Sequence, residues 1–486
     1  MIREECGCVY KKYAKDTVLA SISNIMLNLK GFILLPLLTK TLDIEQYGIW
    51  SLISATIALI LPLALLQLNQ SMTRFLAAEE DKNKISEGIS SIFLTVFLSG
   101  TAFSLAIFTF AKPIAINIFG GVNAEPFIKI TSAVLLITIA DQVVSQYFRA
   151  FRQMKRYSFF TTLQTIIEVV LIYFSLYAGL GLSWVLYSLL VARAFTFIVG
   201  FLMITSDIRM IRPHISLIKS YLAFSIPLLP FMLCAWIVAM SDRYIIGHFM
   251  NIDAVGVYSA CYVIGSIGQI FIYPLWIVLF PATTNLYDNN QISELRAHLQ
   301  YSLKYFLMFA IPTSFGLLVL SKSLLLAVTT PKFVEGYLII PIVAVGGVVF
   351  STSTILGNTL MLVKRTKILS LSYTISAIVN IALNMVLVPS IGIIGAAIAT
   401  LITFIVHLIV IAAISLREFS FDVDVKFIIK SCISSSIMCL IIFIIKPISI
   451  NAILGSIVLG AAIYFLVLIF LSGFTKKEYT FLRNMI

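Results

Sequence analysis

The segment Leu42–Ser51 reads LDIEQYGIWS, and 208 positions later the segment Met250–Ser259 reads MNIDAVGVYS. Isoleucine, glycine and serine recur at equivalent positions, and five further pairs are conservative, including Glu45 with Asp253. Each copy lies between two long apolar runs. Because the same acidic, glycine-containing turn occurs twice in the same setting, the sequence predicts two related halves.

Composition and hydropathy predict a chain that crosses a membrane many times. The 486 residues are 60% hydrophobic and 12% charged, with a mean hydropathy of +1.03. Apolar runs of roughly 20 residues follow one another, and as a helix each is long enough to cross about 30 Å of hydrocarbon. A β-barrel would need alternating segments of about 10 residues instead. We therefore predict an all-α polytopic membrane protein. Its 14 transmembrane helices are expected near 17–38, 47–70, 89–110, 127–148, 157–178, 183–205, 220–241, 254–280, 300–321, 336–360, 367–388, 392–415, 426–446 and 451–472.

Three more pairs of segments recur at offsets between 207 and 211 positions. They are DKNKISE and DNNQISE from Asp81 and Asp288, MKR and VKR from Met154 and Val363, and AGLGLS and PSIGII from Ala178 and Pro389. Each half holds six predicted helices, an even number, so both halves enter the membrane in the same direction. We expect two six-helix lobes related by a pseudo-two-fold axis along the membrane normal, plus two extra helices. The corresponding domains are 1–210, 211–418 and 419–486.

Lysine and arginine residues predict the orientation of the chain. With the amino terminus in the cytoplasm, 25 of the 34 fall on the predicted inner side and 7 on the outer side. This distribution follows the positive-inside rule and predicts that both termini are cytoplasmic. The net charge of +12 is thereby explained without nucleic-acid binding.

Four charged residues fall within predicted spans of the first half: Lys30, Asp141, Glu168 and Arg193. A charge near the bilayer centre costs roughly 2.5–3.5 kcal/mol even on the more lenient scale, so these residues are candidates for a binding or ion-coupling site. The alternative is that they only join helices within one lobe. Lys30 lies on the opposite side of the first helix from Asn28, so the sequence leaves open which face lines a cavity.

Charged residues at the ends of spans complete the candidates. Arg74 and Arg149 lie at predicted cytoplasmic ends, and Asp242 and Arg243 lie at the predicted outer end of the seventh helix. Helices seven to twelve otherwise hold almost no charge in their predicted spans. The charged site is therefore expected in the first lobe.

The repeated turn allows two interpretations. Its glycine permits a tight turn, and Glu45 or Asp253 can cap the helix that follows. The turn is then either a hairpin connector on the outer side of the membrane or an outer gate where the two copies meet.

The sequence favours neither an enzyme nor a bound cofactor. The six cysteines and four histidines are scattered, without the spacing of a metal site, and no glycine-rich phosphate loop is present. The longest predicted outer loop, 111–126, has Glu125 as its one acidic residue, whereas a membrane glycosyltransferase would need acidic residues on such a loop. A proton or sodium gradient is the expected energy source.

Three segments carry a resemblance to a known family: FILLPLLTKTLDIEQYGIWSLIS from Phe32, WIVAMSDRYIIGHFMNIDAVGVYSACYVIG from Trp236 and PSIGIIGAAIATLI from Pro389. They resemble the polysaccharide transporter (O-antigen flippase) family of the multidrug/oligosaccharidyl-lipid/polysaccharide exporter superfamily. The resemblance covers essentially the whole chain, and Ser241 to Arg243 is its most specific element. It implies two six-helix lobes that face each other as a V around a central cavity. It also implies flipping of undecaprenyl-diphosphate-linked oligosaccharide, an O-antigen, capsule or exopolysaccharide repeat unit. The transfer would run from the inner to the outer leaflet of the bacterial cytoplasmic membrane by alternating access.

The resemblance implies one role for the candidate cations and another for the candidate carboxylates. The expected diphosphate or cavity residues are Lys30, Arg193, Arg74, Arg149 and Arg243. The expected coupling carboxylates are Asp141, Glu168 and Asp242. Besides the lipid-linked substrate and the bilayer, the expected partners are a polysaccharide polymerase and a chain-length regulator, and the transporter is expected to be a monomer. The alternative is a drug/cation antiporter of the same superfamily, although the cations favour an anionic substrate.

Overall fold

The computed structural model describes residues 26–27, 29–209 and 211–474, and all regular structure in these ranges is helical. The helices are α1 (29–41), α2 (Ile44–Ala64), α3 (Leu68–Ser71), α4 (Lys82–Thr109), α5 (Ala111–Ile118), α6 (Glu125–Ala150), α7 (Met154–Tyr177), α8 (Gly181–Asp207), α9 (Ile215–Ser225), α10 (Leu229–Phe249), α11 (Ile252–Gly265), α12 (Ile272–Asp288), α13 (Ile292–Val328), α14 (Ile339–Leu362), α15 (Thr366–Glu418), α16 (Val425–Ile445) and α17 (Ile450–Phe470). The prediction of an all-α protein is confirmed.

The number of membrane crossings follows from helix length and hydropathy. Within the described residues, 12 helices are long and apolar enough to cross a bilayer, so the chain is a multi-pass membrane protein. One of them, the 53-residue α15, is interrupted at Ile391 and Gly392, whose backbone angles are not helical. The predicted spans 367–388 and 392–415 lie on either side of this break. The predicted span 17–38 lies largely outside the described residues, and the total of 14 stays a prediction.

Side-chain burial fits helices that face lipid on one side and other helices on the other. In α13 the residues Leu295, Leu299 and Leu303 recur every four positions and are buried in one apolar cluster. By contrast, Phe174 and Phe470 are 60% and 87% exposed. Large exposed apolar side chains would be a liability in water, but they are the expected surface of a helix in hydrocarbon.

Helix packing divides the chain into two compact units, the first ending at Gly256 and the second beginning at Val257. In the first unit, α6 packs against α2, α4 and α8, and α7 packs against α8. In the second, α13 packs against α14 and α16, and α14 packs along α15. The domains predicted from the sequence repeat and the symmetric two-lobe arrangement stay predictions.

In each copy of the repeated turn, the helix that follows is capped by a residue other than the predicted one. Asp43 Oδ1 accepts a hydrogen bond from the Gln46 backbone N–H at 2.7 Å, and Asn251 Oδ1 accepts one from the Ala254 N–H at 2.8 Å. The prediction that Glu45 or Asp253 caps the helix was wrong, because the cap must lie outside the first helical residue to reach the N–H groups of the first turn. Glu45 and Asp253 lie instead in the first turns of their helices, where their negative charges interact favourably with the positive end of the helix dipole.

The two copies of the turn also touch each other within the first unit. A Cβ placed on Gly48 would overlap the backbone carbonyl oxygen of Ile252, and one placed on Gly256 would lie 2.6 Å from the carbonyl oxygen of Ile44. The contact is thus reciprocal, and each glycine is needed where two backbones approach closely. Each copy connects two successive helices, as the connector interpretation predicts, and the two copies are also in contact. Their opening as a gate stays a prediction.

The second predicted span, 47–70, is not one continuous helix. Helix α2 ends at Ala64, and the non-glycine residues Leu66 and Gln67 both adopt left-handed backbone angles, with φ of 49° and 53°. Helix α3 follows and leads into a π-helix at Met72–Leu76. Left-handed residues other than glycine and π-helical turns both carry strain, so tertiary contacts must hold this break.

Two polar contacts hold the segment after the break. Ser71 Oγ donates to the Tyr221 carbonyl oxygen at 2.8 Å. Gln146 Nε2 donates to the Asn69 carbonyl oxygen at 3.1 Å and to Thr73 Oγ1 at 2.8 Å. The segment is therefore tied to α9 on one side and to α6 on the other.

Candidate functional site

Three of the predicted residues meet in one ion cluster. Lys30 Nζ lies 2.6 Å from Glu168 Oε2, and Arg193 Nε lies 3.0 Å from Glu168 Oε1. The Glu168 side chain is fully buried, whereas those of Lys30 and Arg193 are 21% and 18% exposed. The carboxylate is thus hidden behind two cations that remain partly accessible. We call these three residues the ion cluster.

The α7–α8 hairpin places two members of the ion cluster at the same level. Gly179 and Gly181 adopt left-handed angles, with φ of 70° and 73°, and reverse the chain direction between the two helices. Glu168 lies 11 residues before Gly179, and Arg193 lies 12 residues after Gly181. Because each helical residue rises about 1.5 Å, the two side chains reach similar distances from the turn. Lys30 joins them from α1, so the face of the first helix that carries Lys30 points to the charged site.

The second carboxylate, Asp141, lies apart from the cations. It is 1% exposed, its Oδ2 accepts a hydrogen bond from Gln164 Nε2 at 2.7 Å, and its Oδ1 accepts one from Thr196 Oγ1 at 3.1 Å. Gln164 lies one turn before Glu168 on α7, and Thr196 lies one turn after Arg193 on α8. Helices α7 and α8 therefore carry the Glu168–Arg193 pair and, one helical turn away, both hydrogen-bond donors to Asp141.

The two arginines at predicted cytoplasmic ends of spans, Arg74 and Arg149, lie at other positions in the first unit. The Arg149 guanidinium donates to Gln146 Oε1 and lies 5.8 Å from the centre of the Tyr157 ring. Arg74 lies in the π-helix, with its guanidinium 5.8 Å from the centre of the Phe224 ring. Since Gln146 also donates to the segment that carries Arg74, its side chain links the surroundings of the two arginines.

Asp242 and Arg243, at the predicted outer end of the seventh helix, form one buried ion pair. Arg243 Nη1 lies 2.7 Å from Asp242 Oδ1 and also donates to the Ala239 carbonyl oxygen at 3.1 Å. They lie together in α10, and neither is part of the ion cluster. The separate roles predicted for them, a diphosphate or cavity cation and a coupling carboxylate, thus fall on two residues whose charges compensate each other.

Two groups of functional interest were missed in the second unit. Lys304 is one of the 25 cations on the predicted inner side, and its side chain is only 5% exposed, with Nζ 3.4 Å from Asp424 Oδ2 and 4.9 Å from the centre of the Phe427 ring. His407 is buried and lies 3.1 Å from Ser376 Oγ. The prediction of almost no buried charge in the second half therefore needs correction. Hydropathy gave no signal for Lys304, because it lies at the edge of a predicted span.

Comparisons with known proteins agree with the helical architecture. A family model described as "Polysaccharide biosynthesis protein" matches residues 13–286, and one described as "Lipid II flippase MurJ" matches residues 251–464. The chain is 25% identical over 230 residues to the "Probable low-salt glycan biosynthesis flippase Agl15" of Haloferax volcanii. That alignment covers 47% of this chain and 48% of the relative, so it spans about half the length of each.

Solved structures show the same fold. The lipid II flippase MurJ in an inward closed conformation matches with a TM-score of 0.75 and 18% identity, over 94% of this chain and 98% of that chain. An inward-facing multidrug resistance MATE family transporter of the MOP superfamily matches with a TM-score of 0.69 and 14% identity, over 82% of this chain and 98% of that one. Both matched structures are transport proteins and not enzymes. The polysaccharide biosynthesis model covers more than half of the chain, and the chain therefore belongs to the polysaccharide biosynthesis protein family, with the fold of the MurJ and MATE transporters.

Proposed function

We propose that this protein is a flippase that moves polyprenyl-diphosphate-linked oligosaccharide from the inner to the outer leaflet of the cytoplasmic membrane by alternating access. The observation that carries the proposal is the ion cluster, in which one buried carboxylate holds two partly exposed cations. The flippase names of the MurJ and Agl15 relatives support the same substrate class, a lipid-linked glycan.

The chemistry of the two cations suits a diphosphate. An ammonium group offers three donors, and a guanidinium offers five in a planar fork that matches phosphate oxygens. Charge-assisted hydrogen bonds of this kind are about twice as strong as those between neutral groups. Lys30 and Arg193 are therefore the proposed diphosphate ligands, and the exposed arginines Arg74 and Arg149 are proposed to attract the lipid headgroup before it reaches them.

Glu168 would act as the anion that holds the site before substrate arrives. Two unpaired cations within a membrane would be strongly unfavourable, and a buried carboxylate between them compensates their charge. An incoming diphosphate replaces one anionic partner by another, so the cations stay paired throughout. This exchange would let the site release its substrate on the other side without leaving the two cations unpaired.

A drug/cation antiporter is the second candidate, because MATE transporters share the fold. An organic cation would need an accessible carboxylate. In the first unit, however, Glu168 is covered by Lys30 and Arg193, and Asp141 is bound by neutral donors. The anionic substrate is therefore the better match to the site.

A transport assay in vesicles tests the proposal directly. The purified protein is reconstituted with an undecaprenyl-diphosphate-linked oligosaccharide that carries a fluorophore on the sugar, and a membrane-impermeant quencher reports the leaflet. We expect quenching of the inner-leaflet pool to be faster than in protein-free vesicles by about tenfold or more, as for a catalysed process. Vesicles loaded with ethidium are the matched comparison. Proton-driven ethidium efflux without flipping would favour the antiporter and refute the flippase.

Topology provides a separate prediction. In a cysteine-free background, Asn83→Cys and Asn290→Cys are expected to react with a membrane-impermeant maleimide only after permeabilisation, because the positive-inside rule places both in the cytoplasm. Asn123→Cys is expected to react in intact cells. The tail at 476–480, outside the described residues, should behave like the first two positions. Reaction of position 83 or 290 in intact cells would contradict the predicted orientation.

Location, energy source and partners belong to the same proposal. We place the protein in the bacterial cytoplasmic membrane as a monomer, driven by a proton or sodium gradient. We propose that it supplies repeat units of O-antigen, capsule or exopolysaccharide to a polymerase and a chain-length regulator. These assignments follow from the substrate class and are testable by co-purification and by the ion dependence of the vesicle assay.

A further inference from the structure

The side chain of Gln146 on α6 binds three partners at once. Its Nε2 donates to the Asn69 carbonyl oxygen at 3.1 Å and to Thr73 Oγ1 at 2.8 Å, and its Oε1 accepts from the Arg149 guanidinium. A carbonyl oxygen can only accept and a guanidinium can only donate, so a single orientation of the amide serves all three partners. Gln146 is 6% exposed, whereas Arg149 is an exposed residue. A buried amide thus fixes the position of an accessible cation.

The same amide holds the strained segment that carries Arg74. Its two acceptors, Asn69 and Thr73, lie between the break that follows α2 and Arg74, and Thr73 belongs with Arg74 to the π-helix. A π-helical turn contains more residues than an α-helical turn, and each α-helical residue turns the chain by about 100°. Relaxation of this segment to a regular helix would therefore point Arg74 in another direction. The bonds from Gln146 oppose that change.

The second unit contains the same contact between an amide and a threonine. Asn358 Nδ2 donates to Thr283 Oγ1 at 2.8 Å, the distance also found between Gln146 and Thr73. Thr283 follows Thr73 by 210 positions and Asn358 follows Gln146 by 212, close to the offsets of the sequence repeat. Because both halves contain this contact, it belongs to the architecture of the fold.

The bond from an arginine to the amide is the part that differs between the two units. At the offset of 212 positions, the counterpart of Arg149 is Met361. Asn358 Oδ1, the counterpart of the oxygen that accepts from Arg149, is buried and meets no hydrogen-bond donor within the part of the chain that the structure describes. The fold therefore does not require the bond between Gln146 and Arg149. That bond gives the first unit an ordered and accessible cation.

We propose that Gln146 is a positioning residue that orients Arg149 and Arg74 to capture the diphosphate of an incoming lipid at the cytoplasmic entrance. This inference rests on the proposed function and adds a capture step before the ion cluster. An arginine that is ordered before binding loses less side-chain freedom when it binds, so its affinity for the anion is higher. The neutral amide also leaves the charge of Arg149 available, whereas a carboxylate would neutralise it and compete with the diphosphate.

Transport kinetics in vesicles test the positioning role. The initial rate of flipping is measured at increasing mole fractions of the labelled undecaprenyl-diphosphate oligosaccharide, which gives KM and kcat. For Gln146→Met, which keeps the length of the side chain, we expect KM to rise about three- to tenfold while kcat stays within about twofold of the wild type, because capture and not transfer is weakened. Asn358→Leu is the matched control. It removes the equivalent amide from the second unit, and its KM should equal that of the wild type.

Two further variants separate positioning from stability. Gln146→Glu still accepts from Arg149 but cannot donate to Asn69 or Thr73, and its charge compensates the arginine, so KM should rise as in Gln146→Met. This variant carries the test if Gln146→Met does not reach the membrane. Combining Gln146→Met with Arg149→Gln should raise KM by less than the product of the two single effects, whereas the effects of Gln146→Met and Arg193→Gln should multiply.

Three results would overturn the inference. They are a wild-type KM in Gln146→Met or Gln146→Glu, equal increases of KM in Gln146→Met and Asn358→Leu, and multiplicative effects of Gln146→Met and Arg149→Gln. Each of these results leaves the flippase intact, since the wild type still moves the lipid. Absence of flipping by the wild type would instead refute the proposed function, and the capture step with it.

Discussion

Transport is expected to fall by about tenfold to a hundredfold in Lys30→Gln and in Arg193→Gln, because a hydrogen bond to a charged group contributes about 1.5–3 kcal/mol. Each substitution leaves Glu168 with one cation, so the amount of protein in the membrane should stay near that of the wild type. Lys30→Arg keeps the charge and is expected to retain more transport than Lys30→Gln. The vesicle assay gives the rates, and quantitative blotting of membranes gives the abundance.

Combined substitutions separate the ligand role from the structural role. The double variant Lys30→Gln/Arg193→Gln leaves Glu168 charged, buried and unpaired, which costs about 3–5 kcal/mol and should lower abundance sharply. Addition of Glu168→Gln neutralises the site and should restore abundance but not transport. Lys129→Gln is the control, since Lys129 pairs with Glu125 at an exposed position, 43% accessible. Wild-type transport in both single variants would refute the assignment of Lys30 and Arg193 as diphosphate ligands. A double variant as abundant as the single variants would refute the stabilising role of their ion pairs with Glu168.

Gly48→Ala and Gly256→Ala are each expected to destabilise the protein and to impair transport. The added methyl group would overlap the Ile252 carbonyl oxygen in the first case and crowd the Ile44 carbonyl oxygen in the second. Overpacking of this kind costs about 1–3 kcal/mol, and backbone atoms cannot move aside as a flexible side chain can. Thermal unfolding in detergent should show a lower midpoint for each variant. Because the two glycines form one contact, the decrease in the unfolding midpoint of the double variant should be smaller than the sum of the decreases in the single variants.

A matched glycine distinguishes crowding from a general effect of alanine. Gly455 also lies in a helix, but a Cβ placed there meets no atom within 4 Å. Gly455→Ala should therefore be neutral or stabilising by up to about 1 kcal/mol, since glycine is a poor helix former. Equal midpoints for Gly48→Ala and Gly455→Ala would show that the two copies of the turn do not need their close contact.

The sequence predicted those features of the fold that depend on local chemistry. Apolar runs marked the helices, and the glycine of PSIGII coincides with the break at Ile391 and Gly392 in α15. The break after α2 could not be predicted in this way. Leu66 and Gln67 have no tendency toward left-handed angles, and no glycine or proline lies at those two positions. The break depends instead on contacts such as Ser71 with Tyr221, which are 150 residues apart.

The sequence predicted which charged residues form the candidate site, but not which of them pair with each other. Charged residues within apolar spans are costly, and this alone selected Lys30, Asp141, Glu168 and Arg193. Helical periodicity gives the face of each helix but not its rotation against distant helices. The sequence therefore left open which carboxylate would pair with the cations. The α7–α8 turn sets Glu168 level with Arg193, and the packing of α6 against α7 and α8 places Asp141 one turn away, beside Gln164 and Thr196.

The ion cluster also constrains how the chain is made. Glu168 and Arg193 lie in neighbouring helices and can enter the membrane together as a neutral hairpin, whereas Lys30 precedes Glu168 by 138 residues. At about 5–20 residues per second, a ribosome needs roughly 7–28 s to synthesise that stretch. During this interval Lys30 lies in the first helix without its carboxylate partner. Only the extension of its long side chain toward the membrane surface then stabilises the charge. A nascent chain that stalls before α7 would therefore expose an unpaired charge within the bilayer, a feature by which membrane quality-control proteases could recognise incomplete copies.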